Sequence, residues 1–136
     1  MPSRTGVSRL AAVLVLLAAR GSGCAGADLR AGKLGAEQEG MATYISTRLA
    51  GHRTANGERY DPARFTAAHP GLPFGTWVQV TRLDGSGRTV VVRVNDRCAG
   101  SKKIIDVSEA TARQLDMLRA GSVRVRLQVV AAPGRD

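Results

Sequence analysis

The stretch "GTWVQVTRLDGSGRTVVVRVND", residues 75–96, decides the fold. Trp77, Gln79 and Thr81 alternate with Val78, Val80 and Arg82, and Val90, Val92 and Val94 recur with the same period of two. A period of two belongs to strands, whose successive side chains point to opposite faces. "DGSG" (84–87) between the two runs reads as a hairpin loop. The valine-rich face of this hairpin has to be covered by other elements of the chain.

Those elements lie on both sides of it. "MATYIS" (41–46) and "KIIDV" (103–107) read as strands, and "SVRVRLQVV" (122–130) alternates strictly, with Val123, Val125, Leu127 and Val129 on one face. One helix is expected over "SEATARQLDML" (108–118), where Ser108 is a candidate N-cap and Ala112, Leu115 and Leu118 share a face. Glu109 in its first turn and Arg119 near its end suit the helix dipole. The larger apolar residues are mostly valine and leucine with only 4% aromatics, enough for one small closed barrel. Closure is the arrangement that leaves no strand edge unpaired.

Ahead of this domain, Arg4 and Arg9 precede the apolar run "LAAVLVLLAA" (10–19), and small residues follow in "GSGCAGA". That is the pattern of a secretory signal peptide over residues 1–23. The run is too short to span a bilayer, which takes roughly 20 residues. Cys24 after Gly21-Ser22-Gly23 has the form of a lipobox cysteine, although Gly21 stands where a large aliphatic residue is usual. Lipidation at Cys24 would anchor the protein to a membrane; cleavage after Ala27 is the alternative. Residues 24–39 read as a tether, 40–131 as the barrel and 132–136 as a disordered tail. An exported chain of this kind is expected in the bacterial cell envelope, on the periplasmic side, and a single small barrel is expected to be a monomer.

The formal charge is +9, and the leader holds three arginines and no acid, which leaves +6 on the remainder. An exported basic domain is suited to an anionic polymer or surface. Nucleic acid, the usual partner of a basic cytoplasmic chain, is set aside because of the leader. With two cysteines the chain is no disulfide scaffold, and no cysteine–histidine cluster has zinc spacing. Neither a metal nor a cofactor is expected.

Three places offer chemistry. If Val90, Val92 and Val94 face inward, parity puts Asp96 on the same face at the barrel mouth, part-desolvated, the setting of a general acid. Asn-Asp after a strand is also ordinary turn chemistry, so the residue alone does not decide. In "HRTANGERYD" (52–61), Asn56-Gly57 makes a tight turn and Glu58 follows it. In "FTAAHPGLPFG" (65–75), His69 precedes a proline, with no serine or cysteine beside it to form a hydrolytic triad. Cys98 lies near Arg97, Lys102 and Lys103, which favours thiolate unless burial silences it.

In order, "GMATYIS", "GHRTANGERYD", "FTAAH", "LPFGTWVQVTRL", "VVVRVNDR" and "KIIDVSEATARQL" resemble the rare lipoprotein A family over residues 40–130. The resemblance implies a mainly β fold, a six-stranded double-psi β-barrel with one short helix late in the chain, related to expansin and barwin barrels. It also implies lytic transglycosylase activity on peptidoglycan glycan strands, in which the β-1,4 bond between N-acetylmuramic acid and N-acetylglucosamine is cut without water. By the same resemblance Asp96 is the acid/base, and Glu58 and His69 are its catalytic companions. Thr54, Asn56, Arg97 and Tyr44 are implied as substrate contacts, and Trp77 as a sugar-stacking face or, more simply, core. A glycan-binding barrel without catalysis and a structural envelope lipoprotein are the alternatives. Two departures stand out: Cys98-Ala99 replaces the family's usual Gly-Pro after Asp-Arg, and Ile45 replaces an aromatic.

Overall fold

The computed structural model describes residues 25–134. Its elements are helix α1 (Ala25–Arg30), strands β1 (Glu37–Tyr44), β2 (Thr66–Ala68), β3 (Trp77–Arg82), β4 (Thr89–Asp96) and β5 (Ile105–Val107), helix α2 (Glu109–Gln114) and strand β6 (Val123–Ala131). The six strands close into a barrel in the order β1-β5-β2-β4-β3-β6. Two neighbouring pairs, β1–β5 and β2–β4, run parallel and the rest antiparallel. This is the expected double-psi barrel, with one short helix late in the chain.

Alternation does what the sequence promised. Val78, Val80, Val92, Val94, Ile105, Val107, Val125 and Leu127 are completely buried and meet in the barrel interior. β-Branched valine loses little by being held in a strand, and its compact side chain fills a narrow interior. Ala112, Leu115 and Met117 close one end of this core from α2 and the turn after it. Ser108 caps α2 by accepting from the Thr111 N–H at 3.3 Å. The helix stops at Gln114, short of the 108–118 reading, and Asp116 adopts the left-handed region (φ 55°) that a continuing helix excludes.

The tether reading of 24–39 needs correction. Ala25–Arg30 is helical, Leu29 is buried in the core cluster, and the Gly35 N–H donates to the Val129 carbonyl at 2.9 Å. β1 begins at Glu37, opposite Gln128, so the barrel starts ahead of residue 40. A single plugging leucine has no periodicity to betray it. At the other end Pro133 lies against Gly75, where a Cβ would stand 3.3 Å from the Pro133 Cβ, so the tail is packed at least to there. The signal-peptide residues 1–23, Cys24 and residues 135–136 lie outside the described residues. No described helix is long and apolar enough to cross a membrane.

Candidate active site

The end of β4 is where parity breaks. Ala67 of β2 pairs with Val94, but the next residue, Ala68, pairs with Asp96, so Asn95 is an extra residue in β4. Such a bulge turns the following side chain. Val94 and Asn95 are consecutive buried residues, and Asp96 is only half-buried. The inward-facing carboxylate expected from alternation is therefore corrected: Asp96 sits at the barrel mouth, but the bulge swings it onto the rim.

On the rim its position is fixed. Asp96 Oδ1 accepts the backbone N–H of Ala55 at 2.9 Å and of its neighbour Arg97 at 2.8 Å. Oδ2 has no hydrogen-bond partner among the described residues. A carboxyl held in this way can carry a proton on Oδ2, give it up and take it back without disturbing either bond at Oδ1. That is the requirement on a group that acts as acid and then base.

The loop carrying Ala55 is built by its own polar residues. The Thr54 N–H donates to the Glu58 carbonyl at 2.7 Å, the Gly57 N–H to the Thr54 carbonyl at 3.0 Å, and Gly57 takes φ 94°, which a side chain would resist. Asn56 Oδ1 accepts from the Thr54 hydroxyl at 2.6 Å and from the Glu58 N–H at 3.1 Å. The Asn56 N–H donates to the Asn95 carbonyl at 3.3 Å, fastening the loop to the bulge. Thr54 is buried beneath the loop and shapes it, which removes it from the surface a substrate would touch.

Glu58 reaches back over the same bulge. Its Oε1 accepts from Arg93 Nη2 at 2.9 Å and from Asn95 Nδ2 at 3.0 Å. The Arg93 guanidinium holds this carboxyl below the usual carboxylate range, against an opposing effect of burial, and Asn95 adds to the lowering. Glu58 is thus a fixed negative charge bonded to Asn95, the residue before Asp96, not a second proton donor. Arg93 and Asn95 were missed from sequence. The signal for Arg93 was present, since it alternates with Val92 and Val94 and so points away from the core; nothing local announces Asn95.

Two clefts of about 400 and 430 Å³ flank the Glu58–Arg93 pair. The first is lined by charged residues, Arg59, Asp61 and Arg64 among them; the second by Asn56, Phe74 and Trp77. Arg97 projects beside the second, with its guanidinium 4.0 Å from the centre of the Phe74 ring.

His69 is close to Asp96 in space but turned inward. Its N–H donates to the Asp96 carbonyl at 3.1 Å. The residue is 3% exposed, with Nδ1 accepting the N–H groups of Gly71 and Leu72 and Nε2 at 3.0 Å from Gln38 Oε1. Because Nδ1 accepts, Nε2 carries the proton and donates to Gln38. Burial pushes the pKa of this histidine down to about 4, and the positive charge of Arg97 acts in the same sense. With both nitrogens engaged, His69 supports the strand ends that carry Asp96 and has no free ring atom for substrate. Tyr44 is also removed from the site: its hydroxyl donates to the Leu118 carbonyl at 3.0 Å and its ring packs on the core. Trp77, by contrast, is 39% exposed and lines a cleft.

Cys98 is half-buried with Sγ 3.4 Å from the Ala68 carbonyl. Burial pushes its thiol up, with the Asp106 carboxylate adding to this and Lys103 opposing. Burial therefore outweighs the neighbouring cations, and the thiol stays protonated.

Comparison with known proteins agrees with this architecture. The chain is 49% identical over 90 residues to "Probable endolytic peptidoglycan transglycosylase RlpA" of Treponema pallidum, covering 65% of this chain and 28% of that protein. It is 41% identical over 99 residues to the endolytic peptidoglycan transglycosylase RlpA of Neisseria meningitidis serogroup A, covering 72% of this chain and 41% of that one. The chain thus spans less than half the length of these relatives. Among solved structures, a point-mutant expansin of Clavibacter michiganensis in complex with cellohexaose superposes with TM-score 0.55 at 25% identity, over 74% of this chain and 53% of that one. The family model described as lytic transglycolase matches residues 37–127, from the first residue of β1 into β6. With its bulge, rim carboxylate and closed six-stranded barrel inside that span, the chain belongs to the lytic transglycolase family.

Proposed function

We propose that the protein is an endolytic transglycosylase of peptidoglycan glycan strands with Asp96 as its acid/base. The observation that carries this reading is the asymmetry of that carboxyl: Oδ1 is pinned by two backbone N–H groups and Oδ2 has no partner among the described residues. Protonated on Oδ2, Asp96 donates to the glycosidic oxygen as the bond from that oxygen to C1 of the muramic residue breaks. The C6 hydroxyl oxygen of the same residue bonds to C1, and its proton returns to Asp96. No water enters, so no second carboxylate is needed to activate one. Glu58, held as an anion, supplies a negative charge beside a centre that becomes positive as the bond breaks.

The names of the relatives support this activity and this substrate. The signal-like leader supports export to the periplasm or cell envelope, and Cys24 is proposed as the anchor to a membrane, with the barrel working as a monomer. Digestion of purified sacculi and of peptide-free glycan strands, followed by mass analysis, tests the reading. Anhydro-ended products should appear with the natural chain and vanish with Asp96→Asn. Equal glycan binding by both, with no product from either, would leave a binding barrel instead, a reading that the cellohexaose complex of the related expansin supports.

A further inference from the structure

Trp77 is the only tryptophan of a chain with few aromatics, yet it is spent on the outside of the barrel. Its neighbours Val78 and Val80 are wholly buried, so the strand has core positions that an indole does not occupy. Across β3–β4 it stands directly opposite Arg93, the residue that holds Glu58. The cleft of about 430 Å³ that it lines continues to Glu58 and Asn56, and Phe74 and Gly75 complete its wall.

This wall has the mixed chemistry of a pyranose site. A sugar ring has an apolar face of C–H groups, which packs on an aromatic surface, and an equator of hydroxyl and amide groups that need planar polar partners. Trp77 offers the surface. Glu58 and Asn56 bring a carboxylate and a side-chain amide to the same cleft. Asp96 is linked to its lining at two points: Ala55, whose N–H it accepts, precedes Asn56, and Arg97, the residue after it, lies over Phe74.

We propose that Trp77 is the stacking floor of a sugar subsite that receives one N-acetylhexosamine ring of the strand while Asp96 acts on an adjoining linkage. The inference rests on the transglycosylase reading for the identity of the strand, and on the cleft alone for the stacking. It assigns a specificity role to a residue of β3, outside the Thr54–Glu58 loop and the β4 end.

The lone tryptophan is its own reporter. The full chain carrying Asp96→Asn, which removes turnover, is titrated with peptide-free glycan strands and with N-acetylglucosamine oligomers while indole emission and acrylamide quenching are followed. The expected result is a saturable emission change with quenching reduced about threefold. Trp77→Phe should bind within about threefold of the parent and Trp77→Ala about tenfold more weakly, read by sedimentation with the glycan. Unchanged emission at glycan concentrations that saturate cleavage by the natural chain would overturn the subsite and leave the transglycosylase reading intact. Emission that changes with glycan while no anhydro product ever forms would uphold the subsite and remove the enzyme. An emission change that follows protein concentration instead of glycan would overturn the subsite in favour of a self-association face.

Discussion

The backbone N–H of Ala55 donates to Asp96 Oδ1 at 2.9 Å, joining two residues 41 apart in the chain. This contact orients the carboxyl without using its second oxygen. Asparagine can accept the same N–H bonds through its own Oδ1 but has no carboxyl proton. Asp96→Asn should therefore keep the thermal midpoint of the natural chain and lose anhydro-product formation by about 10²–10⁴-fold. A variant that unfolds early would show instead that the charge, not the acceptor, holds the loop.

Glu58 and Arg93 form a partly exposed pair, and ion pairs open to solvent contribute little to stability. Glu58→Gln should change unfolding free energy by less than about 1 kcal/mol. Its effect on turnover should be far larger, at least about tenfold, because the fixed negative charge on the Asn95 bulge is gone. Denaturant melts and product assays on the same preparation separate the two. Comparable fractional losses in both would reduce Glu58 to a structural residue.

His69 makes stability depend on pH. Its folded-state pKa of about 4 lies below the ordinary 6.5, so the unfolded chain takes up the proton first as pH falls. The stabilisation is complete above pH 6.5, declines as pH falls from there to about 4, and changes no further below. The loss from this group amounts to about 3 kcal/mol. His69→Asn keeps an acceptor near the position of Nδ1 and should flatten this part of the pH–stability profile. If the variant follows the parent's slope, another group is responsible.

Cys98 should be a poor nucleophile. With its thiol pushed up by burial, it should react with a disulfide reagent at about pH 8 many times more slowly than in denaturant, where the barrier of burial is gone. Cys98→Ala should leave turnover unchanged. Rapid labelling of the folded protein would contradict the half-buried position against Ala68.

What could be read in advance was the local part of this structure. The β3–β4 hairpin, β5, β6 and the Ser108 cap all announce themselves through alternation or a capping residue, because each is a property of neighbours in the chain. β2 does not: Thr66–Ala68 is three residues long, two of them alanine, and it is a strand only because β4 and β5 lie on either side of it. Leu29 is core for a similar reason. The bulge at Asn95 is the instructive miss, since alternation along β4 holds through Val94 and then fails where the site begins. Asp96, Glu58 and Asn56 could be named from their motifs, and the structure brings them together. Thr54, His69 and Tyr44 could be named too, but their hydrogen bonds place them beneath or behind the rim.

The parallel pairing of β1 with β5 and of β2 with β4 has a kinetic consequence. Ala42 meets Ile105 and Thr66 meets Arg93, so neither contact can form until a long intervening segment has been arranged. Chains dominated by such distant contacts fold slowly, because loop entropy is lost before the contacts repay it. Ala55 and Asp96 come together only when these crossings are complete, so a half-folded chain carries no assembled acid. Activity should therefore appear with the last folding phase, and a newly made chain stays inert until its barrel has closed.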